Sequence, residues 1–182
     1  MSRLVLVRHG RAAAGWDADA DPGLDATGRE QADALAAALA PEGPLPVVVS
    51  PMRRTRETAA ALERVWGVVA DVEPAVGEVR APVDDLSGRG AWLRSISSGR
   101  WAEQDGALLR WRDQLLAALR ALASDTVVVT HFLGINAAVG AASDDDRLVC
   151  FRPDNCSRTV LENDGGRLRL VQLGAEGATA VL

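Results

Sequence analysis

Short β-branched apolar runs alternate along this chain with longer segments of helical period. Leu4-Val5-Leu6-Val7 is a continuous apolar run of strand length, as expected of a strand covered on both faces. Asp25 and Thr27 are both candidate N-caps for a helix reaching residue 40, and Glu30, three residues beyond Thr27, completes a capping-box pattern. Val47-Val48-Val49 predicts a second buried strand, followed by Ser50-Pro51 and a helix over 52–66. A third strand over 68–72 leads into a loop at Glu73-Pro74, and helices follow over 91–97 and 103–123. Thr126-Val127-Val128-Val129 then repeats the first pattern, a strand ending beside a histidine. Beyond Asn136 the pattern predicts a short helix and strands over 148–151, 157–162 and 168–173. Gly165-Gly166 between the last two is a hairpin-turn signal.

Strand–helix alternation predicts an α/β fold, three-layer α/β/α, with a mainly parallel central sheet, and the closing hairpin predicts an antiparallel edge. A length of 182 residues, with 48% hydrophobic and 25% charged residues, suits one domain over 1–182 with a real core. The least patterned stretch, about 73–106, is the expected lid over a site. In open α/β sheets ligands sit at the carboxyl ends of the strands. The only two histidines, His9 and His131, each follow a predicted buried strand, and Ser50-Pro51-Met52-Arg53-Arg54 follows another. Three strand ends therefore bring histidine, arginine and histidine to one edge of the sheet.

Composition narrows the chemistry. All twenty basic residues are arginine, so neither a lysine Schiff base nor a phosphate-loop lysine is available. Two histidines and two cysteines are too few for a four-cysteine zinc site, and no metal or cofactor is expected. The net charge of −5 repels a nucleic-acid backbone, so any bound anion must be held by a local cluster of arginines. No apolar run reaches the roughly 18 residues of a membrane span, and Leu4 to Val7 before Arg8 falls short of a signal-peptide core. Cys150 and Cys156 read as reduced, partly buried thiols, and the expected location is the cytoplasm. Asp144-Asp145-Asp146 reads as a solvated turn, and Trp92, Trp101 and Trp111 as core or lid packing.

Cleaving a phosphate ester without a metal needs a nucleophile that is neutral near pH 7, cations for the dianion, and an acid for the leaving oxygen. Histidine, with an ordinary pKa of about 6.5, supplies the first, and the planar arginine fork binds phosphate oxygens bidentately. Arg8-His9-Gly10 offers both, with a glycine that permits close backbone approach. Arg53, Arg54 and Arg56 open a helix, which conflicts with the helix dipole unless an anion sits there.

These segments carry a family resemblance over nearly the whole chain. Arg8-His9-Gly10, Leu24-Asp25-Ala26-Thr27-Gly28-Arg29-Glu30-Gln31-Ala32, Ser50-Pro51-Met52-Arg53-Arg54 through Glu57-Thr58-Ala59, and Val127-Val128-Val129-Thr130-His131 stand in family order. The chain resembles the histidine phosphatase superfamily, the phosphoglycerate-mutase-like proteins. The resemblance implies that His9 is the transiently phosphorylated nucleophile, that Arg8 and Arg54 clamp the phosphate, and that His131 donates to the phosphoryl group. It puts the proton donor after the third strand, where Val76-Gly77-Glu78 matches; Glu78 is the general acid, with a pKa raised under a lid, and Glu73 is the alternative. Gly10, Arg11 and Phe132, which adjoin these positions, are the expected substrate contacts.

Phosphoglycerate mutases usually carry Glu-Ser or Glu-Thr after Arg-His-Gly, whereas this chain has Arg11-Ala12-Ala13-Ala14-Gly15 and is shorter. Both departures favour a metal-independent phosphatase acting on phosphomonoesters of small metabolites. A phosphohistidine phosphatase acting on a signalling protein is the alternative, followed by an idle module that binds phosphorylated ligands and, last, a mutase. One or two of Arg80, Arg89, Arg94 and Arg100 are expected to meet a second anionic group of the substrate. Monomer and homodimer both remain open.

Overall fold

A computed structural model describes residues 1–15, 18–83 and 85–177. Six strands form one sheet in the order β3-β2-β4-β1-β5-β6. They are β1 (Ser2–Arg8), β2 (Val47–Val49), β3 (Asp71–Val72), β4 (Thr126–Thr130), β5 (Arg158–Asp164) and β6 (Arg167–Gln172). Pairing is parallel from β3 through β1, and antiparallel where β5 joins β1 and β6 joins β5. The expected mainly parallel sheet with an antiparallel edge is therefore observed.

Strand alternation sorts the core into two layers. Leu4, Leu6, Val48 and Val128 face one side, where they meet α3 (Leu86–Ser97), α4 (Gly106–Ala121) and α5 (Phe132–Ser143). Val5, Val7, Val47, Val49, Val127 and Val129 face the other, packed on α1 (Ala26–Leu39) and α2 (Arg53–Trp66) through Leu35, Leu39 and Leu62. With both faces covered, the parallel strands need continuous apolar runs, which is what the sequence carries. Trp101 is buried and stacks on Trp111, so the tryptophans serve packing as expected. Among the described residues no helix is long and apolar enough to cross a membrane.

Several predicted elements shift. The cap of α1 is Asp25, whose carboxylate accepts from the Gly28 N–H; Thr27 lies inside the helix. The third strand shrinks to two exposed residues at the sheet edge. The helix predicted from 91 starts at Leu86, capped by Asp85, and the next starts at Gly106, capped by Asp105. α5 begins at Phe132, immediately after His131, and is buried through Gly140; a helix apolar all round has no periodicity to reveal its start. The strand expected over 148–151 is absent. The Asn136 side chain accepts from the N–H groups of Cys150 (2.7 Å) and Phe151 (3.1 Å), occupying donors that a ladder would use.

One close approach fixes the loop after β1. A Cβ on Gly10 would lie 2.5 Å from the Gly28 carbonyl oxygen, and a Cβ on Gly28 would overlap the Arg11 carbonyl. Loop and α1 start therefore touch backbone to backbone. Gly28→Ala is expected to destabilise the protein by about 1–3 kcal/mol through this overlap, seen as a lower urea midpoint with an unchanged m-value.

Candidate active site

Parallel neighbours β1, β4 and β2 end side by side, and the residues that follow them form one cluster. The His9 N–H donates to the Thr130 carbonyl (3.1 Å) and the Ser50 N–H to the Val129 carbonyl (3.1 Å), so the sheet ladder continues into the site. The His9 and His131 rings stand 5.3 Å apart, edge to face. Arg54, in the first turn of α2 and 3% exposed, lies between them. Its Nε donates to His9 Nε2 (3.2 Å), and its Nη2 is 3.3 Å from Glu78 Oε2 and 3.2 Å from His131 Nδ1. Glu78 Oε2 is in turn 3.2 Å from His131 Nδ1.

His9 Nδ1 lies 2.8 Å from the Gly10 carbonyl. A carbonyl only accepts, so Nδ1 carries the proton and the Nε2 lone pair faces the Arg54 side. The loop that makes this bond is pinned from both sides. The Gly10 N–H donates to Thr58 Oγ1 (3.0 Å), and the Asn155 side-chain amide donates to the His9 carbonyl (2.8 Å). Burial, followed by the charges of His131, Arg54 and Arg8, holds the His9 pKa well below 6.5, so the imidazole is neutral near pH 7.

Arg8 completes the cluster. Its Nη1 donates to the Pro153 carbonyl (2.9 Å), and its guanidinium lies over the Phe132 ring, 5.3 Å from the centroid. Within the cluster two guanidinium nitrogens, Arg8 Nε and Arg54 Nη1, are buried with no hydrogen-bond partner among the described residues. Buried donors of this kind are costly unless an acceptor meets them. The two arginines gather positive charge beside Glu78 inside a chain of net charge −5. The N-terminus of α5, whose cap His131 makes no side-chain cap bond, adds its dipole. The cluster thus combines an unprotonated imidazole, two anion-binding forks and a carboxyl, the parts for phosphoryl transfer to nitrogen.

The structure brings His9, Arg8, Arg54, Glu78 and His131 together. Glu73 is elsewhere: its carboxylate caps the short turn Pro74–Val76 by accepting from the Ala75 N–H (2.9 Å). The expectation of a raised Glu78 pKa is corrected. Burial pushes it up, but His131, Arg54 and His9 outweigh burial and hold the carboxyl at about 2. Gly10 acts through its backbone. Arg11 pairs with Asp25 (2.5 Å) and Thr27 (2.9 Å) at the start of α1, and Phe132 lies beneath Arg8. The helix-start conflict at Arg53 is met in part by Asp21, whose carboxylate accepts the Arg53 N–H (2.8 Å). Sequence reasoning placed Thr58 in a motif without a role, read Asn155 as part of a turn with at most a secondary site role, and missed Pro153, because their contacts cross about 50 to 145 residues and only folding closes them. Cys156, whose N–H donates to the Arg8 carbonyl (2.9 Å), is a free thiol pushed up to about 12 by burial, so it stays protonated beside Arg8.

Beyond Glu78 opens a cleft of about 370 Å³ lined by Ala20 and Met52 and, from the segment over 73–106, by Glu78, Val79, Arg80, Val83 and Arg89. Among the described residues, no three His, Cys, Asp or Glu side chains gather closely enough to hold a metal ion.

The Phe132 ring gives a direct handle on Arg8. Phe132→Leu keeps an apolar side chain but removes the ring face, and is expected to weaken inorganic phosphate binding by about 0.5–2 kcal/mol, measured calorimetrically, with the thermal midpoint close to wild type.

The chain is similar to several known proteins. A glucosyl-3-phosphoglycerate phosphatase from Mycolicibacterium vanbaalenii is 34% identical over 115 residues, which cover 61% of this chain and 48% of that relative. The chain thus spans less than half the length of the curated relatives it matches. The structure of a mycobacterial glucosyl-3-phosphoglycerate phosphatase with VO3 superposes with a TM-score of 0.71 at 24% identity, covering 97% of this chain and all of that one. Phosphoglycerate mutase from Thermus thermophilus superposes with a TM-score of 0.63 at 23% identity, covering 94% and 97%. The family model of branch 1 matches residues 4–176, and the chain belongs to the histidine phosphatase superfamily.

Proposed function

We propose that this protein is a metal-independent phosphatase that hydrolyses phosphomonoesters of small metabolites through a phosphohistidine on His9. The observation that carries the reading is the neutral His9 imidazole with its Nε2 lone pair beside Arg54, and two buried guanidinium nitrogens left for an oxyanion. In the first step Nε2 attacks phosphorus, the P–O ester bond breaks, and Glu78, which takes up a proton from solvent as the phosphoryl dianion binds, passes that proton to the leaving oxygen. Nδ1–H keeps its bond to the Gly10 carbonyl throughout, which stabilises the charge gained by the ring. In the second step water attacks phosphorus, the P–N bond breaks, Glu78 takes the water proton, and inorganic phosphate leaves. Arg8, Arg54 and His131 hold the equatorial oxygens, where charge builds.

Glu78 is ionised while it pairs with Arg54 and His131. A phosphoryl dianion drawn to Arg54 takes over that cation and sets a like charge beside the carboxylate, and both changes move the Glu78 pKa upward, toward use as an acid.

The cleft beyond Glu78 supports a small leaving group that carries a second anionic group. Arg80 and Arg89 line it beside Glu78 and apolar neighbours, and among the described residues neither makes an ion pair. The mycobacterial relatives are named for glucosyl-3-phosphoglycerate, a phosphomonoester that also carries a carboxylate. Free Cys150 and Cys156 support a reducing, cytoplasmic setting.

The test is phosphate release, in the presence of a chelator, from glucosyl-3-phosphoglycerate, 3-phosphoglycerate, an uncharged-alcohol phosphate, an aryl phosphate and a phosphohistidine protein. Turnover is expected without metal and absent in His9→Ala; equal release by both proteins would leave only a binding module. Arg80→Ala with Arg89→Ala is expected to raise KM about three- to tenfold for the carboxylate-bearing esters and not for the uncharged one. A phosphohistidine protein as best substrate would select the signalling reading.

A second prediction isolates the acid. Glu78→Gln is expected to lower kcat about 10²–10⁴-fold for an alkyl phosphate and far less for an aryl phosphate, whose leaving oxygen needs no proton. Equal losses on both would place the acid elsewhere.

A further inference from the structure

His131 must present an N–H to the phosphoryl oxygens, and a neutral imidazole has only one to give. Two faces of the ring compete for it. Nε2 lies 2.7 Å from Ser50 Oγ, at the carboxyl end of β2. Nδ1 lies 3.2 Å from Glu78 Oε2 and 3.2 Å from Arg54 Nη2, on the side where the phosphate would bind.

Ser50 decides between them. Like His131, it is 0% exposed. Its hydroxyl oxygen accepts from the Met52 N–H (3.3 Å), and among the described residues His131 Nε2 is the one acceptor within reach of the hydroxyl proton. If Nε2 carried the proton, Ser50 Oγ would receive two donors while its own proton had no acceptor, and the Nδ1 lone pair would face the Glu78 carboxylate. With the proton on Nδ1, Ser50 donates to Nε2, and Nδ1 and Arg54 Nη2 both donate to Glu78 Oε2, so the 3.2 Å approach of Nη2 to Nδ1 is a contact between two donors that share one carboxylate oxygen. The serine backbone is held on both sides. Its N–H is bound to the Val129 carbonyl (3.1 Å), and its carbonyl accepts from Thr55 Oγ1 (2.9 Å).

We infer that Ser50 is a positioning residue that holds His131 in the Nδ1–H tautomer and so aims its single N–H at the phosphoryl side of the site. The role rests on the phosphatase reading, but the tautomer can be read in the free protein. When the phosphoryl group arrives, the proton that Glu78 accepted is already directed at its oxygens, with no ring flip or proton relocation required.

Two histidines in the chain make the measurement simple. Long-range 1H–15N imidazole spectra near neutral pH, with His9→Ala used to assign His131, are expected to show a protonated Nδ1 and an unprotonated, hydrogen-bonded Nε2. Ser50→Ala is expected to populate the Nε2–H tautomer and to lower kcat about ten- to hundredfold, with KM changed less than about threefold. Ser50→Thr, which keeps the hydroxyl, is expected to restore the wild-type tautomer. A wild-type His131 protonated on Nε2 overturns the assignment, as does a His131 spectrum unchanged in Ser50→Ala. Because the wild-type spectrum decides the tautomer by itself, a poorly folding variant does not block the test. An Nδ1–H tautomer in a protein that releases no phosphate would strike the phosphatase reading alone and uphold the role of Ser50 in setting the tautomer.

Discussion

A guanidinium with 3% exposure must find partners for its charge and its donors inside the protein, and at Arg54 that requirement organises the site. Its Nε takes the Nε2 of His9, and its Nη2 takes the carboxylate of Glu78 beside His131. Its own backbone carbonyl accepts from Thr58 Oγ1 (2.7 Å), the hydroxyl that also receives the Gly10 N–H. One buried cation therefore ties the α2 start to the β1 loop, the α5 start and the segment beyond β3. It also sets protonation. Its charge adds to burial and His131 in keeping His9 neutral, and it joins His131 in holding Glu78 ionised, opposite effects of one cation on a base and an acid.

The sheet makes that arrangement possible. β4 lies between β1 and β2, all parallel, so three adjacent carboxyl ends open at one edge. Side chains along these strands are fully occupied in two apolar layers, and chemistry can appear only where the runs stop. After β1 and β2 the next polar residue is held by a ladder-like bond, His9 to Thr130 and Ser50 to Val129, which extends the order of the strands into the loops. The antiparallel edge contributes from the opposite direction. The chain entering β5 brings Pro153, Asn155 and Cys156 under the β1 loop, where their backbone or amide groups hold Arg8 and His9.

Strands β1, β2 and β4 were legible because a strand covered on both faces needs an unbroken apolar run, and each run ended in a residue with recognisable chemistry. The start of α5 was not legible, because a helix buried on every side erases the periodicity that marks a boundary. Residues 148–151 look like a strand locally, yet the Asn136 amide takes their N–H groups, a competition invisible until the two segments meet. Arg11 and Phe132 adjoin site residues in sequence, but one pairs with Asp25, the cap of α1, and the other supports Arg8.

By itself, the order of residues determined the layered α/β architecture, the edge of the sheet that bears the site, and the histidines and arginines gathered there. Hydrophobic period and strand-end position are local properties, so they can be read from neighbours along the chain. Tertiary structure alone decided which glutamate joins the cluster, which way its pKa moves and where the proton of His131 lies. Those outcomes depend on distances between groups far apart in sequence and on the removal of water around them. Burial drives Glu78 toward protonation and its charged partners drive it toward ionisation, and the balance exists only once the fold has placed Arg54 3.3 Å away.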